Sequence, residues 1–155
     1  SYSKYLEYKE VQDNLKENID AAWVDDVLYA KDVLLRGREA SEQINILGDD
    51  GVPVEYHERF WKSEVIDFII LQQDGFDAID QSTSIDRQKY MLQLVLGICR
   101  TAFHFNSFED VNPYFKKLID KLKQMNYSEF HSKDFLRFEG ELQELLRVQE
   151  AVHAN

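Results

Sequence analysis

Apolar residues recur at helical spacing along most of the chain. Trp23, Val27, Ala30 and Leu34 follow one another at intervals of four, three and four, the stripe of an amphipathic helix. Asp20 supplies an N-cap, Gly37 loosens the helix, Ile44 and Leu47 continue its face, and Gly48 ends it as a C-terminal cap. Asp49-Asp50-Gly51-Val52-Pro53 is a turn by composition, Gly giving backbone freedom and Pro opening the next helix. That second helix is predicted from about Val54 to Gln73, carrying Tyr56, Phe60, Trp61, Val65, Phe68 and Ile69. The pair forms an αα-hairpin. At about 1.5 Å per residue each arm is roughly 30 Å long, so the tip is exposed.

Asp74-Gly75 breaks the second arm, and a polar loop runs from Phe76 to Thr83. Ser84 caps a third helix predicted to reach Phe105. Met91, Leu92, Leu94, Val95, Leu96, Ile98, Cys99, Ala102 and Phe103 make it apolar on most faces, as a bundle's central helix is. Ser107 and Asp110 resemble a capping box with Asp in place of Glu. Phe108, Val111, Phe115, Leu118, Leu122 and Met125 come next at threes and fours, with Pro113 marking where the regular helix starts. Ser132 opens a last helix with Phe135, Phe138, Leu142, Leu145 and Val152 on one side. Ahead of all this, Ser1 to Asn18 is polar and tyrosine-bearing (Tyr2, Tyr5, Tyr8), with a short helix predicted near Val11–Asn18. No segment alternates with strand period, and there is no internal repeat. The pattern predicts an all-α helical bundle of five to six helices with a projecting αα-hairpin, in a single domain over 1–155.

Composition narrows the function classes. The chain has 155 residues, 44% of them apolar, which suits a folded domain with its own core. A net charge of −11 repels phosphate backbones and excludes nucleic acid as a natural partner, while favouring basic protein surfaces. Cys99 is the single cysteine, so no intramolecular disulfide forms, as suits a cytoplasmic setting. The longest apolar run, Leu94 to Ile98, is far below the roughly 20 residues of a membrane span, so direct membrane insertion is not expected. Ser1 carries no signal-peptide pattern, and the missing initiator Met suggests a piece excised from a longer chain.

Catalytic signatures are missing. There is no P-loop and no G-x-G-x-x-G turn to cradle phosphates. His57, His104, His131 and His153 are scattered rather than set at ligand spacing, so no metal site is expected. Asp25-Asp26 and Asp49-Asp50 are adjacent acids of the kind usually solvated, not a general acid–base pair. No catalytic residue is assigned. On these grounds the hairpin is either an ordinary structural one or a contact device.

Ordered motifs then add a resemblance. Ile44-Asn45-Ile46-Leu47-Gly48 followed by an acidic turn is similar to the Ile-Leu-Gly helix end and DELSEED turn of rotary ATPase catalytic subunits. Ile70-Leu71-Gln72-Gln73-Asp74-Gly75-Phe76 resembles the Phe-Leu-Gln-Gln-Asn-Ala-Phe of the V/A-type catalytic chain. Asp86-Arg87-Gln88-Lys89-Tyr90-Met91-Leu92 looks like the family's Glu-Lys-Gln-Tyr-x-Met-Leu, and Ser1-Tyr2-Ser3-Lys4-Tyr5 like its Ser-Tyr-Ser-x-Tyr opening. The Gln-Gln pair and the opening favour the V/A-type over the F-type. Ile70 in place of Phe, Asp74-Gly75 in place of Asn-Ala, Ser82 in place of an aromatic, and a less acidic turn depart from the pattern.

The resemblance implies the C-terminal helical domain of the catalytic A-type polypeptide (alpha chain) of a bacterial V/A-type ATPase. Such a domain is not an enzyme alone but part of an ATP-hydrolysing or ATP-synthesising, ion-translocating machine. ATP or ADP with Mg would be bound by a preceding nucleotide-binding domain, and no cofactor by this segment alone. Implied partners are that preceding domain, the neighbouring B-type (beta) chain of the head and the central-stalk rotor, in a cytoplasmic head peripheral to the membrane. Asp49, Asp50, Val52, Pro53 and Glu55 would form the rotor contact. Phe76 would line the adenine pocket or pack beneath its loop, and Gln72 and Gln73 would touch ligand or cap their helix. The alternative is a stand-alone helical interaction module that binds a basic coiled coil.

Overall fold

The computed structural model describes the backbone of residues 21–76 and 81–154 and, within these, the side chains of 22–70 and 85–149. The described residues form five α-helices and one 3-10 turn, with no strand among them. Helix α1 is Ala21–Leu47, the 3-10 turn is Asp49–Gly51, α2 is Val54–Phe76, α3 is Gln81–Arg100, α4 is Phe108–Asn126 and α5 is Lys133–Ala154. The expected class is the one that forms. Asp20, the short helix near Val11–Asn18 and the Ser1–Tyr5 opening lie outside the described residues.

Several boundaries differ from expectation. Asp74-Gly75 does not break α2, which runs on to Phe76; a glycine in a last turn costs only about 1 kcal/mol and can be carried. Helix α3 starts at Gln81 rather than at Ser84, so Ser82, Thr83 and Ser84, which composition marks as able to cap, lie inside its first turn. It also ends at Arg100, well before Phe105. The Thr101 amide donates to the Ile98 carbonyl at 3.1 Å, a tightened final turn, and the Thr101 hydroxyl donates to the Gly97 carbonyl at 2.9 Å. Helix α4 starts at Phe108, not at Pro113. Pro113 forfeits one amide, at an exposed position early in the helix. The Ser107 hydroxyl accepts from the Glu109 amide at 3.2 Å, so the cap reaches the second helical residue rather than Asp110.

Helix α2 is the axis of the bundle. Its Val65, Ile66 and Ile69 are buried together with Met91, Leu92, Val95, Leu96 and Ile98 of α3. Helix α4 contributes the expected stripe of Val111, Phe115, Leu118, Leu122 and Met125, every one of them fully buried. Phe135 and Leu142 of α5 close the core. Polar links fix directions. The Tyr114 hydroxyl donates to the Leu145 carbonyl at 3.0 Å and Lys121 pairs with Glu141 at 3.2 Å, so α4 and α5 are antiparallel. Arg87 at the start of α3 donates to the Met125 and Asn126 carbonyls at 2.8 and 2.6 Å, capping the far end of α4. Phe103 and Phe105, outside any helix, join Tyr114 and Phe115 in an edge-on and tilted aromatic cluster, with Phe103 and Phe115 centroids 5.3 Å apart.

Helix α1 is the outer arm. It closes on α2 through Val24, Val27, Ala30, Val33, Gly37 and Ala40, a seam of small residues. Trp23 and Leu34, expected on the face, are only half-buried, and Leu47 is exposed. Gly37 does not loosen the helix. A Cβ there would lie 2.1 Å from Ser63 Oγ, so the glycine is what lets the two arms touch. The root of α1 is fastened to α3 by Asp26, which pairs with Arg100 at 3.0 Å. Cys99 is buried against α2, its thiol donating weakly to the Lys62 carbonyl, and burial pushes its pKa up to about 12. That thiol is therefore protonated and inert in the folded chain.

Candidate functional site: the hairpin tip

The end of α1 is closed by one residue that only glycine can supply. Gly48 has φ 85° and ψ 165°, a backbone region essentially closed to L side chains. In that conformation its amide donates to the Ile44 carbonyl at 2.7 Å, satisfying the helix end, and its carbonyl accepts from the Gly51 amide at 3.0 Å. Nothing lies within 4 Å of where a Cβ would point. The penalty for Gly48→Ala is therefore backbone strain alone, about 1–3 kcal/mol. Urea unfolding should show that loss as a lower midpoint at unchanged slope. An unchanged midpoint would mean that the turn re-forms without cost.

The turn is tied down from below by His57. This side chain is 7% exposed, and its Nε2 lies 2.9 Å from the Asp49 carbonyl oxygen. A carbonyl can only accept, so Nε2 carries the proton. The imidazole also stacks on Phe108, centroids 5.2 Å apart and rings inclined by 25°. Phe108 is the first residue of α4, so the tip is coupled through one ring to a helix about 50 residues further along the chain. Below it, Trp61 stacks on Phe115 at 6.4 Å. In the sequence His57 is one of four scattered histidines with nothing to set it apart; only the α2–α4 pairing reveals its place.

The five tip residues expected from the sequence come together. Asp49, Asp50, Pro53 and Glu55 are exposed and Val52 is half-buried, all in the 3-10 turn and the entrance to α2. Two further residues belong with them. Ile46 is 74% and Leu47 55% exposed on the last turn of α1, so the end of the hairpin is apolar as well as acidic. Gln73 and Phe76 sit at the opposite end of α2, about 30 Å away along the helix axis, and their side chains lie outside the described residues.

Beside the tip, α1 and α4 flank α2 and leave a cleft of about 640 Å³ over it. Ser41, Ile44 and Asn45 form one wall, Phe108, Asn112 and Lys116 the other, and His57, Phe60 and Trp61 the floor. Among the described residues no group of three His, Cys, Asp or Glu side chains is placed to hold a metal ion. No described helix is long and apolar enough to cross a membrane.

Comparison with known proteins bears on the family. No protein-family model and no solved structure matches the chain. Sequence relatives do. The V-type ATP synthase alpha chain of Borrelia garinii is 32% identical over 124 residues, 80% of this chain and 22% of that protein. The V-type ATP synthase alpha chain of Chlamydia abortus is 33% identical over 135 residues, 87% of this chain and 22% of its own length. That of Protochlamydia amoebophila is 28% identical over 149 residues, 96% of this chain and 25% of its length. This chain thus spans about a quarter of the length of the relatives it matches. The matches cover most of a chain whose described secondary structure is all helical, and the chain belongs to the V-type ATP synthase alpha chain family.

Proposed function

We propose that this segment is the C-terminal helical domain of the ATPase alpha chain. In that role it is the lever that couples nucleotide exchange in the A3B3 head to rotation of the central stalk, and so to proton or sodium transport. In this reading ATP or ADP with Mg is handled by the preceding nucleotide-binding domain, whose movement is delivered to the base of the hairpin. Phe76 stacks on the adenine and Gln73 approaches the ligand at that base. The beta chain of the head lies alongside, and the head is cytoplasmic and peripheral to the membrane.

The observation that carries the reading is the tip. A lever needs a stiff arm, a fixed end geometry and a free contact surface. Stiffness follows from the close α1–α2 seam at Gly37 and Ser63 and from the burial of α2 in the bundle. End geometry is fixed by Gly48 and by His57 holding the Asp49 carbonyl. The contact surface is Asp49, Asp50, Pro53 and Glu55 with Ile46 and Leu47, all exposed. Carboxylates there steer basic rotor side chains over roughly a Debye length, about 8 Å at physiological salt.

The test is a complex assembled with a shortened tip, residues 49–52 replaced by two glycines. Nucleotide affinity should be unchanged, while torque under load and ATP-driven ion transport fall several-fold. Full rotation against load by the shortened complex would contradict the lever reading.

A further inference from the structure

The cleft beside the tip shares Asp49 and His57 with the lever reading, but its Phe60–Trp61 floor and its α4 wall have no part in that reading. Its floor is aromatic, built from His57, Phe60 and Trp61, with the Phe108 ring on the α4 wall beside them; Phe60, Trp61 and Phe108 are each only half-buried. Its two walls are the end of α1 and the beginning of α4, both packed on α2 but splayed around it. The stretches 41–49 and 108–116 are each about 12 Å long, roughly two helical turns. The volume of about 640 Å³ is within the usual range of ligand clefts, about 300–1,000 Å³. Shape and lining suit a fourth helix laid between α1 and α4, with its apolar side chains on the rings, as a bundle packs.

Charge selects the kind of helix. Asp49 and Glu109 line the tip end of the cleft, and Asp50 and Asp110 adjoin them; all four are exposed. Lys116 is the only lysine or arginine on the lining, at the inner end. A helix that buries leucine-like side chains on the floor and carries lysine or arginine toward the tip would meet both features. An acidic helix would face four carboxylates there.

We propose that this cleft is the docking groove for a basic amphipathic helix of a partner protein, two to three turns of which lie between α1 and α4. Occupancy of the groove does not require the tip to touch a rotor, and the two ideas fail separately. The groove is tested on its walls at Asn45 and Asn112, the lever on the shortened tip.

The experiment uses the chain with Trp23→Phe, which leaves Trp61 on the groove floor as the only tryptophan. Three synthetic helical peptides of roughly 18 residues, long enough to hold a helix, are titrated against its emission. One carries leucines at helical spacing among lysines, the second the same leucines among glutamates, and the third alanines among lysines. The lysine–leucine peptide should bind and shift the Trp61 emission, with affinity falling as salt rises. The other two should bind at least about tenfold more weakly. Asn45→Arg with Asn112→Arg changes two exposed wall residues and leaves the core alone. It should weaken the lysine–leucine peptide about tenfold while thermal unfolding is unchanged. Equal binding of the alanine–lysine peptide would reduce the effect to net charge and overturn the proposal. So would binding that leaves Trp61 emission unmoved, binding indifferent to the two arginines, or no binding.

Discussion

Phe115→Ala is expected to destabilise the chain by about 3–5 kcal/mol, a large share of the roughly 5–15 kcal/mol available to a domain of this size. Phe115 is fully buried and lies at the meeting point of three elements. Trp61 of α2 stacks on it, Phe103 and Phe105 reach it from the segment after α3, and Tyr114 meets it edge-on from its own helix. Removing the ring leaves a cavity that rigid neighbours cannot collapse into, and it also removes several quadrupole-favoured contacts. At about 2–4 °C per kcal/mol the melting temperature should fall by roughly 10 °C, with loss of near-ultraviolet dichroism from Trp61. Phe115→Leu keeps apolar volume in place and should recover most of the loss. A Phe115→Ala variant that melts within about 1 kcal/mol of the parent would mean that this cluster does not hold α2, α3 and α4 together.

The second large effect is at Gly37, where the sign of a common stabilising substitution reverses. On an exposed helix Gly→Ala gains about 1 kcal/mol, since alanine has the better helix propensity. Gly97 and Gly140 are exposed and a Cβ on either meets nothing within 4 Å, so both should follow that rule. At Gly37 the added carbon would sit 2.1 Å from Ser63 Oγ and 2.2 Å from Ser63 Cβ, with the Arg59 carbonyl oxygen at 3.2 Å. Turning the hydroxyl is not enough, because the Ser63 Cβ itself is in the way. The arms must part, and overpacking of that kind costs typically about 1–3 kcal/mol, more than propensity returns. Gly37→Ala should therefore lower stability while Gly97→Ala and Gly140→Ala raise it. Ser63→Gly in the Gly37→Ala background should restore part of the loss, seen as a favourable coupling in a double-mutant cycle. Equal melting of all three single variants would show that the arms are not in backbone-level contact.

Gly37 also shows where periodicity misleads. Counting large apolar residues selects Trp23, Val27, Ala30 and Leu34, whereas the buried line runs through Val24, Val27, Ala30, Val33, Gly37 and Ala40. Small residues carry little hydrophobic signal, yet they set how closely two helices approach. The stripes of α4 and α5 are legible because large side chains at threes and fours leave one solution, and Phe115, Leu118, Leu122, Phe135 and Leu142 are all buried as expected. The end of α3 is not legible. Ala102, Phe103 and Phe105 continue an apolar run, but the tightened turn at Thr101 releases the chain and Phe103 and Phe105 join the aromatic cluster from outside the helix.

The tip divides in the same way. Its turn is readable from Gly48, Asp49, Asp50, Gly51 and Pro53, since turn chemistry is local. The clamp on it is not, because nothing in the sequence marks His57 as the donor to the Asp49 carbonyl, and only the packing of α2 on α4 brings Phe108 against its ring. The exposure of Ile46 and Leu47 is likewise hidden, because α1 runs past the end of the core and apolar residues on its last turn have nothing beneath them.

The most direct measurement of the lever is a disulfide between the tip and the stalk. Cys99 is buried and protonated, so a cysteine introduced by Asp50→Cys would be the reactive thiol among the described residues. In the assembled complex it should cross-link to a cysteine on the central stalk under oxidation, stop ATP-driven rotation, and release it again on reduction. Rotation that continues with the tip exposed to oxidant and no product linking this chain to the stalk would contradict the coupling role assigned to the hairpin.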